Sequence, residues 1–258
     1  MLDVLIAGGA GLGAASFLVL GAAVGWFVGV PHSVVAGTMA FGAGALISTL
    51  AFELVIEAHE TGGLVPTLGG FLLGAAIFVA ADLALARRGA RARKRSIALQ
   101  SSPGIHAHPA PAASTTIGLA VAVGALLDGV PESLVLGLSL ADGGAVSLPI
   151  LVAVAVSNLP EGLGSAAGMK HEGRGVRYVF GVWGGIALAS GVAAALGFAL
   201  LADAPTAVIA GVQTIAAGGI LAMVANTMIP EAFAADRSFT GLWAALGFAL
   251  SFALTQLG

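Results

Sequence analysis

Residues 33–57 read SVVAGTMAFGAGALISTLAFELVIE, a stretch with no basic residue in which the charged side chains, Glu53 and Glu57, stand near the carboxyl end. A run of about 20 apolar residues is long enough to cross the hydrocarbon core of a bilayer as a helix. Polar and apolar residues do not alternate along it, so it does not predict a strand of a membrane β-barrel. It therefore predicts a transmembrane helix.

The whole chain is as apolar as this stretch. Of its 258 residues 58% are hydrophobic and 9% are charged, whereas about 25% are charged in an average soluble domain. This composition excludes an ordinary soluble enzyme. The net charge of −3 gives no reason to expect a nucleic-acid partner, and the absence of cysteine excludes disulfides, Cys-ligated zinc and thiolate catalysis.

Eight apolar segments of this kind follow one another along the chain, and they predict an all-α integral membrane protein with a single transmembrane domain over residues 1–258. The first segment has no basic region before it, so we expect it to be retained as a helix rather than cleaved as a signal peptide. The predicted spans are residues 2–24, 33–57, 64–86, 115–140, 144–168, 177–201, 206–231 and 239–257.

All ten basic residues fall in connections that an eight-span chain places on one face. The positive-inside rule makes that face cytoplasmic. It predicts a multi-pass protein of the plasma or inner membrane with both termini on the non-cytoplasmic side. The long connection at 87–114 is basic at first and then rich in Ser, Ala and Pro with two histidines, so we expect a flexible cytoplasmic loop.

Two parts of the chain resemble each other. Residues 43–58 read AGALISTLAFELVIEA and residues 217–232 read AGGILAMVANTMIPEA, an ungapped match at a spacing of 174. The predicted topology sends the two copies across the membrane in opposite directions, as in the inverted repeats of many secondary transporters. We therefore expect spans 1–3 and 6–8 to form inverted halves around central spans 4 and 5, a 3+2+3 arrangement.

The two central spans carry acids near the middle of the membrane. Residues 128–133 read DGVPES and residues 157–162 read SNLPEG, which places Asp128, Glu132 and Glu161 at a depth where each acid costs about 2.5–3.5 kcal/mol on insertion scales. The proline before each glutamate cannot donate a hydrogen bond, so a helical carbonyl is freed beside each carboxylate. Carboxylates and freed carbonyls together predict an oxygen-rich site.

No basic residue lies in the interior of any predicted span, since Arg177 stands at the first position of span 6, so the positive charge that balances these acids must be a proton or a ligand. A divalent cation suits hard oxygen ligands. Protonated acids are the alternative, either as the proton pathway of a carrier for another solute or as hydrogen-bonding groups that hold helices together.

The two segments resemble the paired His-Asn-x-Pro-Glu-Gly signatures of the ZIP (Zrt/Irt-like) family of metal-ion transporters. Eight spans, outward termini, a His-containing loop after span 3 and the 3+2+3 repeat are similar too, so the resemblance covers nearly the whole chain. It implies import of zinc, manganese, iron or a similar divalent ion toward the cytoplasm, without a prosthetic group. It also implies a homodimer, since related transporters tend to dimerise.

Carried over by position, the resemblance implies a metal site made of residues from spans 4 and 5. Asp128 and Ser157 replace the two family histidines, and Ser190 stands where many relatives have a carboxylate in span 6. Because zinc favours nitrogen and sulfur ligands, an all-oxygen site tilts toward manganese or iron(II). The implied ligands are Asp128, Glu132, Ser157, Asn158 and Glu161.

Further polar residues are candidates for the path to and from this site. Glu231, which also follows a proline, stands near the cytoplasmic end of span 7, and its repeat counterpart is Glu57. Glu53 lies one turn before Glu57, near the outer face. A solvated helix end is the alternative for each acid. His106 and His108 form a His-x-His pair that could catch metal in the loop, with a plain linker as the alternative.

We expect a transporter and no enzyme. An intramembrane metalloenzyme would need an HExxH-type helix, and the His-Glu pairs at His59 and His171 have no second histidine four positions on. A relative that lost transport together with the family histidines is the remaining alternative.

Overall fold

The structure is a computed structural model that describes residues 1–85, 124, 126, 129–140, 145–171 and 173–257, and every regular element in these ranges is a helix. All of the helices except α4 are long and apolar enough to cross a membrane, which confirms seven of the predicted segments and the all-α membrane class. The predicted loop at 87–114 lies outside the described residues. The helices are α1 (Leu2–Phe27), α2 (His32–Gly62), α3 (Leu64–Leu85), α4 (Gly129–Leu140), α5 (Leu148–His171), α6 (Val176–Leu201), α7 (Thr206–Ala235) and α8 (Thr240–Leu257).

The outer surface of the bundle is apolar. Leu72 on α3 and Leu200 on α6 are 68% and 73% exposed, and many other large aliphatic side chains on the outer helices are exposed as well. Soluble monomers rarely expose apolar surface on this scale. The surface therefore suits a lipid environment rather than water.

The interior is built from small residues that let helix backbones approach closely. A Cβ on Gly162 of α5 would clash with the carbonyl of Leu18 on α1, and a Cβ on Gly44 of α2 would clash with the carbonyl of Ala244 on α8. Membrane helices use small residues at such crossings because packing replaces the hydrophobic driving force. The glycines thus fix which helices can lie side by side.

Helices α1 and α2 begin at Leu2 and His32, and α6 and α7 begin 174 residues later, at Val176 and Thr206. The spacing of the sequence repeat is therefore also the spacing of these helix starts. Both α2 and α7 also contain a π-helical segment at matched positions, Leu50–Val55 and Val224–Met228. Such single π-helical turns are rare and frequently mark functional sites.

The matched helices run in opposite directions. Gly37 of α2 lies against Trp243 of α8, and further along both helices Thr49 and Ser251 share a hydrogen bond of 2.9 Å, so α2 and α8 are parallel. Because the short connection before Thr240 reverses the chain, α7 is antiparallel to α2. We call the two ends of the bundle the His32 end, where α2 begins, and the Gly62 end.

Candidate functional site

A cavity of about 40 Å³ lies inside the half of the bundle nearer the His32 end. It is formed mainly by α5 and α7, with one residue each from α2 and α4. Three carboxylates from three different helices line it, and none of the described lining residues is basic. The lining residues are Met39, Glu132, Ser157, Pro160, Glu161, Gly164, Ser165, Met223, Thr227, Met228 and Glu231.

Each of the three cavity acids directly follows a proline, and the chain contains no other Pro-Glu pair. Pro160 stands inside the continuous helix α5, where its missing N–H leaves the carbonyl four residues earlier without its helical donor. Pro230 follows the π-helical segment of α7, which also disturbs the regular hydrogen bonding of the helix. The regular hydrogen bonding of α5 and α7 is therefore interrupted close to Glu161 and Glu231.

Glu132 is the most enclosed of these acids, with 2% of its surface exposed. The Oγ of Ser157 lies 3.4 Å from its Oε1 and 2.9 Å from the carbonyl of Val154. A hydroxyl has one proton, so Ser157 can donate to only one of these oxygens at a time. The contact joins α4 to α5 at the two segments that the sequence singles out. A carboxylate buried to this degree needs a proton, hydrogen bonds or a cation to compensate for lost water.

The structure places one predicted ligand, Asn158, and one predicted pathway residue, Ser190, outside the cavity lining. The Nδ2 of Asn158 donates a hydrogen bond of 3.1 Å to the carbonyl of Ala14 on α1, so its amide nitrogen faces away from the acids. Ser190 is buried in α6 beside Gly129 of α4. Asp128, together with the loop residues His106 and His108, lies outside the described residues.

Glu53 and Glu57 belong to the half of the bundle nearer the Gly62 end and do not line the cavity. The Oε2 of Glu57 accepts a hydrogen bond of 3.3 Å from the Nε2 of Gln213 on α7. The Oε2 of Glu53 accepts one of 3.0 Å from the Oγ of Ser147, just before α5. Both acids are partly buried and held by neighbouring helices, which differs from the solvated helix ends that sequence alone left open.

The cavity also contains residues that the sequence did not single out as candidates. The side chains of Met39, Met223 and Met228 contribute thioethers, which are soft metal ligands. Thr227 adds a hydroxyl from the π-helical segment of α7. The walls therefore offer sulfur as well as oxygen, which the all-oxygen interpretation did not include.

A second and larger cavity, of about 680 Å³, lies between α2, α5 and α8. Its lining is dominated by large apolar side chains such as Phe41, Phe239 and Trp243, and Asp236 is the single acid among the described residues that line it. The Oδ1 of Asp236 already accepts hydrogen bonds from the backbone N–H groups of Ser238 and Phe239 at the start of α8. The smaller, acidic cavity is therefore the candidate functional site.

The chain matches no protein-family model and no curated protein. Function must therefore be argued from the chemistry of the site, since a fold alone does not specify function. Among the described residues, no three His, Asp or Glu side chains form a preassembled metal cluster. What the structure shows is a shared cavity that receives carboxylates from α4, α5 and α7.

Proposed function

We propose that the chain is a secondary carrier for a divalent metal cation, of the kind found in the ZIP family. The observation that carries this proposal is the convergence of Glu132, Glu161 and Glu231 on one cavity whose described lining holds no basic residue. In the proposed mechanism these carboxylates, together with Asp128, Ser157 and freed backbone carbonyls, replace the water shell of the ion.

Electrostatics favours a divalent cation over a neutral solute. Bringing three carboxylates from three helices into one small cavity raises their mutual repulsion, which a low-dielectric interior strengthens. A bound ion of charge +2 offsets most of that repulsion, and carboxylates and carbonyls are its ordinary ligands. The thioethers in the wall extend the proposed range to softer ions, so zinc is a candidate cargo as well as manganese and iron(II).

We propose eight spans in the 3+2+3 arrangement, with α1–α3 and α6–α8 as inverted halves and α4 as the described part of the fourth span. The matched helix starts, the matched π-helical segments and the opposite directions of α2 and α7 all support it. Inverted halves of this kind are the basis of alternating access in many transporters.

We further propose that the His32 end faces the cytoplasm, which leaves both termini outside the cell membrane. The described basic residues support this orientation, because Lys170, Arg174, Arg177 and Arg237 all lie at the connections of that end. The cavity then lies in the cytoplasmic half, which suits an importer in the state that releases its ion inward. The homodimer implied by the family resemblance stays a prediction, for which the mass of the detergent-solubilised protein is the test.

Uptake into reconstituted vesicles that contain a metal-sensitive dye tests the site. We expect the Glu132→Gln, Glu161→Gln double variant to lower the initial rate of metal uptake by at least about tenfold, equivalent to ~1.4 kcal/mol of lost ion stabilisation. Asp203→Asn, which makes the same chemical change at an exposed acid, is the matched control and should transport normally.

Two results would overturn the proposal. Normal uptake by a folded double variant would remove the acids from the ion path. Proton movement that responds to pH but to none of Zn, Mn, Fe, Co and Cd would instead indicate a proton-coupled carrier of another solute. If the proposal holds, uptake measured with these metals in competition ranks them by how well the protein transports each one.

A further inference from the structure

The repeat provides a counterpart for every α2 and α7 residue that lines the cavity. The counterpart of an α2 residue has a residue number higher by 174, and that of an α7 residue has a number lower by 174. The cavity residues belong to the half near the His32 end, and their counterparts belong to the half near the Gly62 end. If the two halves exchange roles during transport, the counterparts would line the equivalent cavity on the opposite side. The pairs are Met39 with Gln213, Met223 with Thr49, Thr227 with Glu53, Met228 with Leu54, and Glu231 with Glu57.

Hydrogen bonds join these counterparts to neighbouring elements. Glu57 accepts from Gln213 at 3.3 Å, and Thr49 shares a hydrogen bond of 2.9 Å with Ser251 of α8. The third link joins Glu53 to the residue before α5 at 3.0 Å. Leu54 is 1% exposed. The Gly62 half is therefore closed by polar links at the very positions whose partners line a cavity in the other half.

Only the pair Glu231 and Glu57 keeps the same residue, and one of the four differences lies directly beside this shared carboxylate. Gln213 is 4% exposed and donates its side-chain amide to Glu57. Its counterpart beside Glu231 is Met39, whose thioether has no proton to donate. A hydrogen bond to a carboxylate in a water-poor interior is stronger than one between neutral groups. The Gly62 half therefore has a hydrogen bond that stabilises its closed state, and the side chain at the matching position of the His32 half cannot donate one.

We propose that Gln213 is a positioning residue that holds the Gly62 half shut through Glu57, so that the carrier rests with its cavity open toward the His32 end. In the opposite state Glu57 and Glu53 line an open cavity, and the Glu231 side closes without an equivalent amide. The assignment of these states to transport rests on the proposed function. The latch itself is a statement about conformation and can be measured without any metal.

Cysteine labelling offers a direct test, because the natural chain contains no cysteine. Leu54→Cys reports opening of the Gly62 half, and Met228→Cys reports opening of the His32 half. Each is placed in three backgrounds, namely natural, Gln213→Met and Met39→Gln, and reacted with a soluble maleimide in detergent. We expect Gln213→Met to raise the labelling rate of Leu54→Cys by about tenfold, the worth of one charged hydrogen bond, and to lower that of Met228→Cys.

Met39→Gln keeps the existing latch and adds an amide beside Glu231. Like Gln213→Met, it should raise the labelling rate of Leu54→Cys and lower that of Met228→Cys. It should do so although the hydrogen bond between Gln213 and Glu57 and its neighbours are unchanged. A merely structural role for Gln213 would lower the melting temperature without moving the two rates in opposite directions. That result, or protection of Leu54→Cys in both variants, would overturn the latch.

Uptake kinetics separate the latch from the proposed function. If both hold, Gln213→Met should lower the KM for metal added at the Gly62 side, because a larger fraction of molecules is ready to bind there. Redirected labelling in a protein that transports no divalent metal would support the latch and contradict metal transport. Metal uptake by Gln213→Met with an unchanged KM and unchanged labelling rates would support metal transport and contradict the latch.

Discussion

Gly162 follows Glu161 directly, and its replacement by alanine tests the geometry of the site most sharply. A Cβ at this position would clash with the backbone carbonyl of Leu18 on α1, which cannot rotate away as a side chain can. The helices α1 and α5 would have to separate or slide. Gly168 lies on the same helix with nothing within 4 Å of its added Cβ, so Gly168→Ala is the matched control.

The expected change in the free energy of unfolding is the balance of two opposing effects. Replacing glycine by alanine inside a helix stabilises it by about 1 kcal/mol, and both variants gain this. Overpacking against backbone costs about 1–3 kcal/mol, and an immovable carbonyl places Gly162→Ala at the upper end. We therefore expect a net loss of about 2 kcal/mol, or roughly 4–8 °C in melting temperature, while Gly168→Ala melts at or slightly above the natural protein.

Activity should fall further than stability in the same variant. Metal sites tolerate only about 0.2 Å of error in ligand distance, whereas relief of the clash with the Leu18 carbonyl has to shift the backbone next to Glu161 by more than that. We expect metal uptake to drop by at least about tenfold at a temperature where the protein is folded. Melting curves in detergent and vesicle uptake measure the two effects. If Gly162→Ala melts and transports like Gly168→Ala, then α1 and α5 do not cross as closely as described.

Three further predictions concern the same region and the closed half. Asn158→Ala should lower the unfolding free energy by about 1 kcal/mol, since it removes one hydrogen bond to a carbonyl of α1, and melting would show a fall of roughly 2–4 °C. A double-mutant cycle of Thr49→Val and Ser251→Ala should give a coupling of about 0.5–1.5 kcal/mol, and additive effects would refute their hydrogen bond. A transported metal at 100 times its Kd should stabilise the natural protein by about 2.7 kcal/mol, and Glu132→Gln with Glu161→Gln should abolish this shift.

The helices could be predicted from sequence because each satisfies its backbone hydrogen bonds locally, so length and apolarity suffice to find them. The ends of α6 and α7 agree with the predicted segments within a few residues. The repeat could also be read from sequence, since it leaves matched residues at a fixed spacing. The π-helical segments at Leu50–Val55 and Val224–Met228 could not, because they depend on how α2 and α7 pack against their neighbours.

The direction of individual polar side chains was harder to predict. Asn158 occupies a signature position, yet its amide nitrogen bonds to the carbonyl of Ala14. Sequence spacing places a residue on a helix face, but the close crossing of α1 and α5 decides which groups that face meets. Gln213 gave no sequence signal by itself, since a single glutamine in an apolar helix has many uses. The role proposed for it rests on its contact with Glu57, which only the structure shows.

Glu231 had a readable signal whose meaning depended on the fold. The chain has three Pro-Glu pairs, and two of them were assigned to the central site while the third was placed near the end of span 7. The structure brings all three acids to one cavity. A proline inside a helix leaves the carbonyl four residues earlier without its helical donor, as Pro160 does in α5, so such a pair places a carboxylate and an interrupted backbone hydrogen bond on the same helix. Because a cation needs several oxygens at once, three carboxylates from three helices form a better site than one helix could provide. Movement of α7 relative to α4 and α5 would change how many of these carboxylates the ion can reach.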